Sequence, residues 1–353
     1  MSGTLPIYST ADLIGVQQRP NNQPDNFWLT FFRTEYTSQA ETILFDDLGD
    51  RDRRLAPFVA PMAQGRVMRD KGFITKSFKP AYLKPKHVVD PSKAIKRRAG
   101  ERLTGELTLE QRWDAAIADN MFAERSMIER RWDWMAARAL IDGAVTVSGD
   151  DYPEQYVDFD RHSTLSYLLT STARWGESAA NPLGDIRAAR KNAFERGGYP
   201  VQDLVFGSDA WDRFTANADV KALLSTENRG STSDWRAPVM NDGSPFAYEG
   251  SIGNAAIGSG GMIRLWTYSN FYEETLGGNR VNYLDVNTVV GIGNPMGVRA
   301  FGAIMDADAG LAALPMFPKM WKNPDPSVNY TMTASAPLMV PMNPNSTFKI
   351  KVY

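Results

Sequence analysis

Thr108 to Gly143 reads TLEQRWDAAIADNMFAERSMIERRWDWMAARALIDG. Thr108 and Gln111 have the spacing of a capping box. The threonine side chain accepts from the backbone N–H three residues on, and the glutamine side chain reaches back. Apolar residues then recur at Trp113, Ile117, Met121, Ile128, Trp132, Met135 and Ala139, one face of a helix. No proline interrupts the run, and Gly143 supplies a stop. The pattern predicts a helix over 109–142, about 51 Å long at 1.5 Å per residue. That is longer than a compact domain needs. A coiled coil and a core helix are the structural readings; the stripe does not keep strict heptads, which argues against the coiled coil.

Upstream, residues 1–55 read as an arm. STADLIGV (9–16) predicts a short helix capped by Ser9 or Thr10. NFWLTFF (26–32) is an apolar anchor, and LFDDLGDRDRR (44–54) a charged turn region. Residues 56–103 read as extended. In GRVMRDKGFITKSFKP (65–80) a turn signal, Asp70-Lys71-Gly72, separates two strand-like runs and predicts a hairpin. Pro80, Pro85 and Pro91 keep the return path from becoming helix.

Downstream, AVTVSGDDYPEQYVDFD (144–160) predicts a hairpin with an acidic turn. Residues 160–182 are polar and irregular. NPLGDIRAARKNAFERGG (181–198) predicts a second helix, closed by Gly197 and Gly198. Residues 203–225 read as a strand and short helices. The stretches 262–274, 280–293 and 297–305 read as strands joined by Gly-rich turns, and 330–340 and 347–353 as two final strands. The fold class is α+β: an arm, an extended loop, one very long helix, then a mixed lobe.

The chain has 353 residues, net charge −2 and no cysteine. Disulfides, thiol nucleophiles and thiolate metal sites are excluded, which fits a reducing cytoplasm. The first residues lack a basic start and an apolar run, so no secretory signal is expected. No stretch approaches about 20 apolar residues, so no membrane-spanning helix is expected. From Arg66 to Arg102 twelve Lys or Arg face three Asp or Glu, a local charge of +9 that leaves −11 elsewhere. A basic loop on an acidic body suits a copy of itself.

Chemistry-bearing motifs are few. His87 and His162 are the only histidines. A structural zinc site needs about four ligands, so a surface or interface role is the better reading. GIGNPMG (291–297) lacks dinucleotide-loop spacing and reads as a strand-ending turn. GSGGM (258–262) lacks the Lys-Ser or Lys-Thr of a phosphate loop. Asp306 and Asp308 would share one face of a strand and could pair as acid and base, against the alternative of a solvated strand end. Asp150 with Asp151, and Asp46, Asp47, Asp50 and Asp52, read as solvated turns. In FKPAYLKPKHVV (78–89), Phe78 and Tyr82 could stack bases, but no RNA-binding signature surrounds them and the prolines argue against a recognition helix.

FKPAYLKPKHVVDP (78–91), GVRAFGAIMDADAG (297–310), FPKMWKNPDP (317–326) and TMTASAPLMVPMNP (331–344), with STADLI (9–14) and FFRTEY (31–36), occur in an order that resembles the lambda-type phage major capsid proteins, the major head protein E family. The resemblance implies an HK-97-like capsid fold. Its parts would be an N-terminal arm over 1–55, an E-loop over 56–103, and a P-domain over 104–182 with spine helix 109–142 and hairpin 144–159. An A-domain would cover 183–315, and C-terminal strands over 316–353 would return to the P-domain. The implied function is that of a major capsid protein of a tailed double-stranded DNA phage, not an enzyme, without cofactor or metal. It would form pentamers and hexamers around the genome without sequence-specific DNA binding. Implied partners are a separate scaffolding protein, a portal protein at one vertex and a trimeric decoration protein. Some 55 residues precede the loop and lack a long amphipathic helix, so scaffolding is expected from the separate protein. Phe73, Ile74, Phe78, Tyr82 and Leu83 would give the loop apolar contacts on a neighbouring subunit, and Lys76, Lys79, Lys84 and Lys86 would meet acidic partners. Trp113, Ile117, Met121, Ile128 and Trp132 would be the buried face of the spine helix. The alternatives are a carboxylate-dependent hydrolase using Asp306 and Asp308, and a bacterial cargo compartment shell of the same fold.

Overall fold

A computed structural model describes residues 7–17, 26–40, 42–47, 64, 74–96, 107–149, 152–224, 233–235, 245–253, 262–325 and 327–353. Helix α1 (Thr10–Gln17) leads through a 3-10 turn (Trp28–Phe31) to strands β1 (Phe32–Thr37), β2 (Ile43–Asp47), β3 (Ile74–Phe78) and β4 (Lys86–Val89). One helical turn, α2 (Ser92–Ile95), precedes the long helix α3 (Leu109–Ile141). Then come β5 (Ala144–Gly149), β6 (Tyr152–Asp158), β7 (Ser166–Leu168), α4 (Pro182–Gly197), β8 (Asp203–Phe206), α5 (Ser208–Ala216) and α6 (Ala218–Leu224). Strands follow: β9 (Ser233–Trp235), β10 (Phe246–Gly253), β11 (Met262–Tyr268), β12 (Phe271–Glu273), β13 (Arg280–Asn282) and β14 (Thr288–Ile292). The last are β15 (Gly297–Phe301), β16 (Phe317–Asn323), β17 (Val328–Ala334), β18 (Pro337–Pro341) and β19 (Thr347–Lys351).

The long helix begins at its capping box. Gln111 N donates to Thr108 Oγ1 at 3.2 Å, and Thr108 N donates to Gln111 Oε1 at 2.9 Å. It runs 33 residues, and Gly143 then takes φ +72°, where a side chain would be strained. Arg161 Nη1 donates to the otherwise unpaired Leu140 carbonyl at 3.0 Å, closing the last turn.

A seven-stranded mixed sheet runs β7-β19-β14-β8-β11-β10-β9. Its central strands β8 and β14 are buried along their whole length, which is why they are apolar after their first residues, Asp203 and Thr288. Ile186 and Ala193 of α4 and Phe214 of α5 pack with Leu204, Phe206 and Phe348 of the sheet. The C-terminal half of α3 lies in the largest core. There Ile128, Trp132, Met135 and Leu140 meet Phe27, Trp28, Phe32, Phe301 and Leu338. The N-terminal half packs in a smaller core, where Trp113, Ile117 and Met121 meet Leu13, Val89, Ala94 and Met320. Two three-stranded sheets, β1-β15-β18 and β16-β17-β4, lie against these two halves.

Several local readings are corrected. Residues 44–47, expected in the charged turn region 44–54, are not a turn. With Ile43 they form β2, antiparallel to β3, Ile43 lying opposite Phe78 and Asp47 opposite Ile74. Cross-strand pairing overrides the low strand preference of aspartate. The Asp70-Lys71-Gly72 turn and the run before it lie outside the described residues. Pro91 precedes the single turn α2 rather than extended chain, because proline is tolerated where a helix starts. Residues 330–340 are not one strand: β17 and β18 belong to different sheets. Strand β10 had no sequence reading, and β16 was covered only by the strands expected over 316–353. β19 pairs with β14 and β7 in the large sheet, while β16 and β17 lie by the N-terminal half of α3.

Candidate assembly surface

The basic strip 78–89 is clamped to its own subunit over much of its length. Phe78 is buried in the main core. Tyr82 O–H donates to Ala303 O at 2.5 Å. Leu83 and Ser335 exchange backbone hydrogen bonds of 2.8 and 3.0 Å. The β4 backbone pairs with β17, from Lys86 opposite Met332 to Val89 opposite Asn329. Lys86 Nζ sits 3.8 Å above the Tyr330 ring and 5.0 Å from that of Trp321, a cation–π arrangement. Lys84 Nζ lies 5.1 Å over Tyr82. The side chains expected on a neighbour are thus engaged at home at Phe78, Tyr82, Leu83, Lys84 and Lys86. Lys79, Lys84, Lys86 and Val88 nevertheless keep exposed surface. Phe73 lies outside the described residues, and only the backbone of Ile74 and Lys76 is described, in β3.

Trp113, Ile117, Met121, Ile128 and Trp132 are all buried. Between Met121 and Ile128 the stripe has a gap, filled by Glu124, which has no exposed surface. Thr331 Oγ1 donates to Glu124 Oε1 and Thr333 Oγ1 to Oε2, each at 2.8 Å, and His87 Nδ1 is 3.2 Å from Oε1. Burial pushes the Glu124 carboxyl up from its ordinary range, opposed by Thr331, Thr333 and His87. Asn329, Thr331 and Thr333 alternate along β17 and are buried, as is Ser335 just beyond it. A polar row that faces inward is the signal that could have exposed the carboxylate opposite it. Tyr8 O–H ties the arm to α3 through Asp114 Oδ1 at 2.5 Å; partial burial and Asp114 push the phenol up to about 12.

The proposed acid–base pair does not form on a strand. Asp306 and Asp308 sit in a turn, where Asp308 N donates to Asp306 Oδ1 at 2.9 Å. Lys319 Nζ closes on both, 3.1 Å from Asp306 Oδ1 and 2.5 Å from Asp308 Oδ2. The two carboxylates neutralise a lysine and turn the chain; nothing aims them at a shared proton. His162 Nδ1 accepts from Thr164 N at 3.3 Å, a local cap far from His87's partners. In GIGNPMG, Gly291 is glycine because a Cβ there would collide with the Phe348 ring. Asp46 and Asp47 belong to β2; Asp50, Asp52, Asp150, Asp151 and residues 258–261 lie outside the described residues. Among the described residues no helix is long and apolar enough to cross a membrane.

A capped 33-residue helix, a strip laid across its N-terminal half and a mixed sheet beside it make the HK-97-like architecture of a phage capsid subunit. The chain superposes on the crystal structure of a prophage capsid protein from E. coli CFT073 with a TM-score of 0.72 at 22% identity, covering 98% of this chain and 99% of that one. The mature capsid of bacteriophage PhiM1 gives a TM-score of 0.50 at 11% identity, over 94% and 89%. The family model for phage major capsid protein E matches residues 9–352, and the chain belongs to that family. The major capsid proteins of Escherichia phages N15 and lambda are each 30% identical to it, over 99% of this chain and all of theirs. The protein is a structural subunit of the icosahedral head shell of a tailed phage, not an enzyme.

Proposed function

We propose that the chain assembles in the host cytoplasm into pentamers and hexamers whose shell encloses packaged double-stranded DNA. The observation that carries this is a pair of projecting hairpins. Tyr156 on β5–β6 is 68% exposed; on β12–β13, Leu276 is fully exposed and Phe271 and Val281 are each 43% exposed. Two-stranded hairpins are marginal alone, and exposed apolar groups mark interaction surfaces. Non-identical surfaces on one chain make heterologous contacts, which close rings.

The division into arm, E-loop, P-domain and A-domain at 1–55, 56–103, 104–182 and 183–315, with 316–353 returning, is part of the proposal; the pairing of β2 with β3 extends the loop's foot back to residue 43. The outward faces of Lys79, Lys84 and Lys86 then meet an acidic neighbour. A scaffolding protein directs assembly, a portal occupies one vertex, and a trimeric decoration protein docks on the β5–β6 hairpin and the loop. The test is electron microscopy of the chain co-produced with the scaffolding protein of its phage. Closed shells are expected. Leu276→Glu should give a folded, soluble subunit that makes none; normal shells from it would remove the hairpin from the interface, and absence of shells from the parent would sink the assembly reading.

A further inference from the structure

Glu124 completes a stripe that a leucine would complete without burying a charge. It stands where β4, β17 and α3 meet. An ionised carboxylate only accepts hydrogen bonds, and Thr331, Thr333 and His87 offer it three donors when the imidazole carries its proton on Nδ1. If the carboxyl holds the proton, it donates to Nδ1 of the opposite tautomer. In either state one hydrogen bridges Oε1 and Nδ1 while β4 rests on α3; the second state holds one proton more than the first, on the carboxyl, with Nε2 keeping the imidazole's own. The His87 side chain is 31% exposed, so the proton has a route to water.

We propose that His87, Glu124, Thr331 and Thr333 form a proton-linked latch that holds the foot of the basic strip, β4, against the N-terminal half of α3. Other charges around the latch are already committed. On α3, Arg125 Nε donates to Glu129 at 2.7 Å. On β16, Lys319 holds Asp306 and Asp308. On β4, Lys86 covers Tyr330 and Trp321. On α2, Lys93 Nζ donates to Val88 O at 3.1 Å, and Asp90 Oδ1 accepts from Ser92 N at 2.8 Å. On α1, Asp12 accepts from Ser9. β17 brings the hydroxyls of Thr331 and Thr333, with Asn120 Nδ2 donating to Thr331 at 3.5 Å. His87 is the ionisable side chain in contact with Glu124.

The closed latch binds the additional carboxyl proton more tightly than an opened one, because water returns the Glu124 carboxyl to its ordinary range. Proton linkage therefore supports the closed form fully below that range. The support is lost as pH rises through the raised value. Raising pH should loosen the strip, by at most about tenfold in its opening constant per pH unit for one linked proton. In a shell subunit this joins the arm-side loop to the helix through a single titrating contact.

Hydrogen exchange on the full-length, unassembled chain between pH 5 and 8, corrected for the intrinsic rate, tests the latch without relying on ring formation. Peptides covering β4 and β17 should lose protection as pH rises, while those covering β8 and β14 hold. Glu124→Gln keeps the size, removes the charge and should flatten the β4 slope. Equal slopes for β4 and β14 in the parent chain overturn the latch whether or not the variant folds, as does an unchanged slope in the variant. Nitrogen-15 spectra of the histidines, with His162 as reference, add a second readout. Nδ1–H is expected for His87 at pH 8, and Nε2–H there would also overturn it.

Discussion

The two halves of α3 share a backbone and a stripe but are held in different ways. From Ile128 to Ile141 the helix lies in the largest core, among Phe27, Trp28, Phe32, Phe301 and Leu338. From Trp113 to Met121 it is covered by single residues of α1, β4, α2 and β16, with a buried carboxylate at the inner end. Bulk apolar burial stands or falls with the whole fold. A thin cover made by an arm and a strip can open by itself. The C-terminal end of the helix should therefore behave as a fixed rod, and the cover of its N-terminal end should open first.

The largest effect should come from the fixed end. Trp132 packs against Phe301 with ring centroids 5.1 Å apart. Trp132→Ala should cost about 3–5 kcal/mol. Denaturant unfolding followed by circular dichroism and by tryptophan fluorescence should shift together. A loss confined to β4 and α1 would erase the difference between the halves. Next comes Ile117, buried in the smaller core. Ile117→Ala should cost about 2–4 kcal/mol, and hydrogen exchange should rise in α1, α2 and β4 while β8 and β14 keep their protection. Uniform acceleration across the chain would mean that the N-terminal half belongs to the global core.

What was legible follows the same division. The capping box, the apolar stripe and Gly143 place α3 to within a residue, because local spacing determines them. The seven-stranded sheet was readable at the apolar runs Leu204–Phe206 of β8 and Val289–Ile292 of β14. Glu124 was not readable. Amphipathic reasoning sends a glutamate outward, and only the inward Thr331 and Thr333, far along the chain, give it partners. The strip's lysines and aromatics were visible as a pattern. That Lys86 would dock on Tyr330 depends on β17 lying alongside, and that Tyr82 would dock on Ala303 depends on the loop after β15; no local pattern encodes either. β2 was hidden because its strand character comes from β3 across the ladder.

A smaller effect is expected at the start of the helix. Thr108→Ala removes the side-chain acceptor of the capping box and should cost about 1 kcal/mol. Exchange should rise in the first turn of α3 and stop short of Ile128. Propagation past Ile128 would show that the two ends are coupled through the helix more strongly than their separate cores suggest.

The smallest effect should come from the charged cluster on β16, beside Met320. Asp306 is subject to burial, which raises its carboxyl, but the Asp308 N–H and Lys319 outweigh this and hold it below the ordinary range. A group held low contributes stability above its ordinary value, about 4, and loses it as pH falls through the depressed value. Asp308 is 63% exposed and the lysine is not deeply covered, so solvent screens the pairs. Asp306→Asn should cost about 0–1 kcal/mol at pH 7, and the gap from the parent should close in acid. Glu124 has the opposite sign, since it is held high by burial and its support fades as pH rises. The two carboxylates flank the same thin core through β16 and β17, and their pH profiles should slope in opposite directions. Thermal unfolding of Asp306→Asn and Glu124→Gln across pH 3 to 8 measures both. Parallel slopes would mean that burial does not govern Glu124. A cost at Asp306 as large as that at Ile117 would mean that the N-terminal half is held by its surface charges rather than by its few buried side chains.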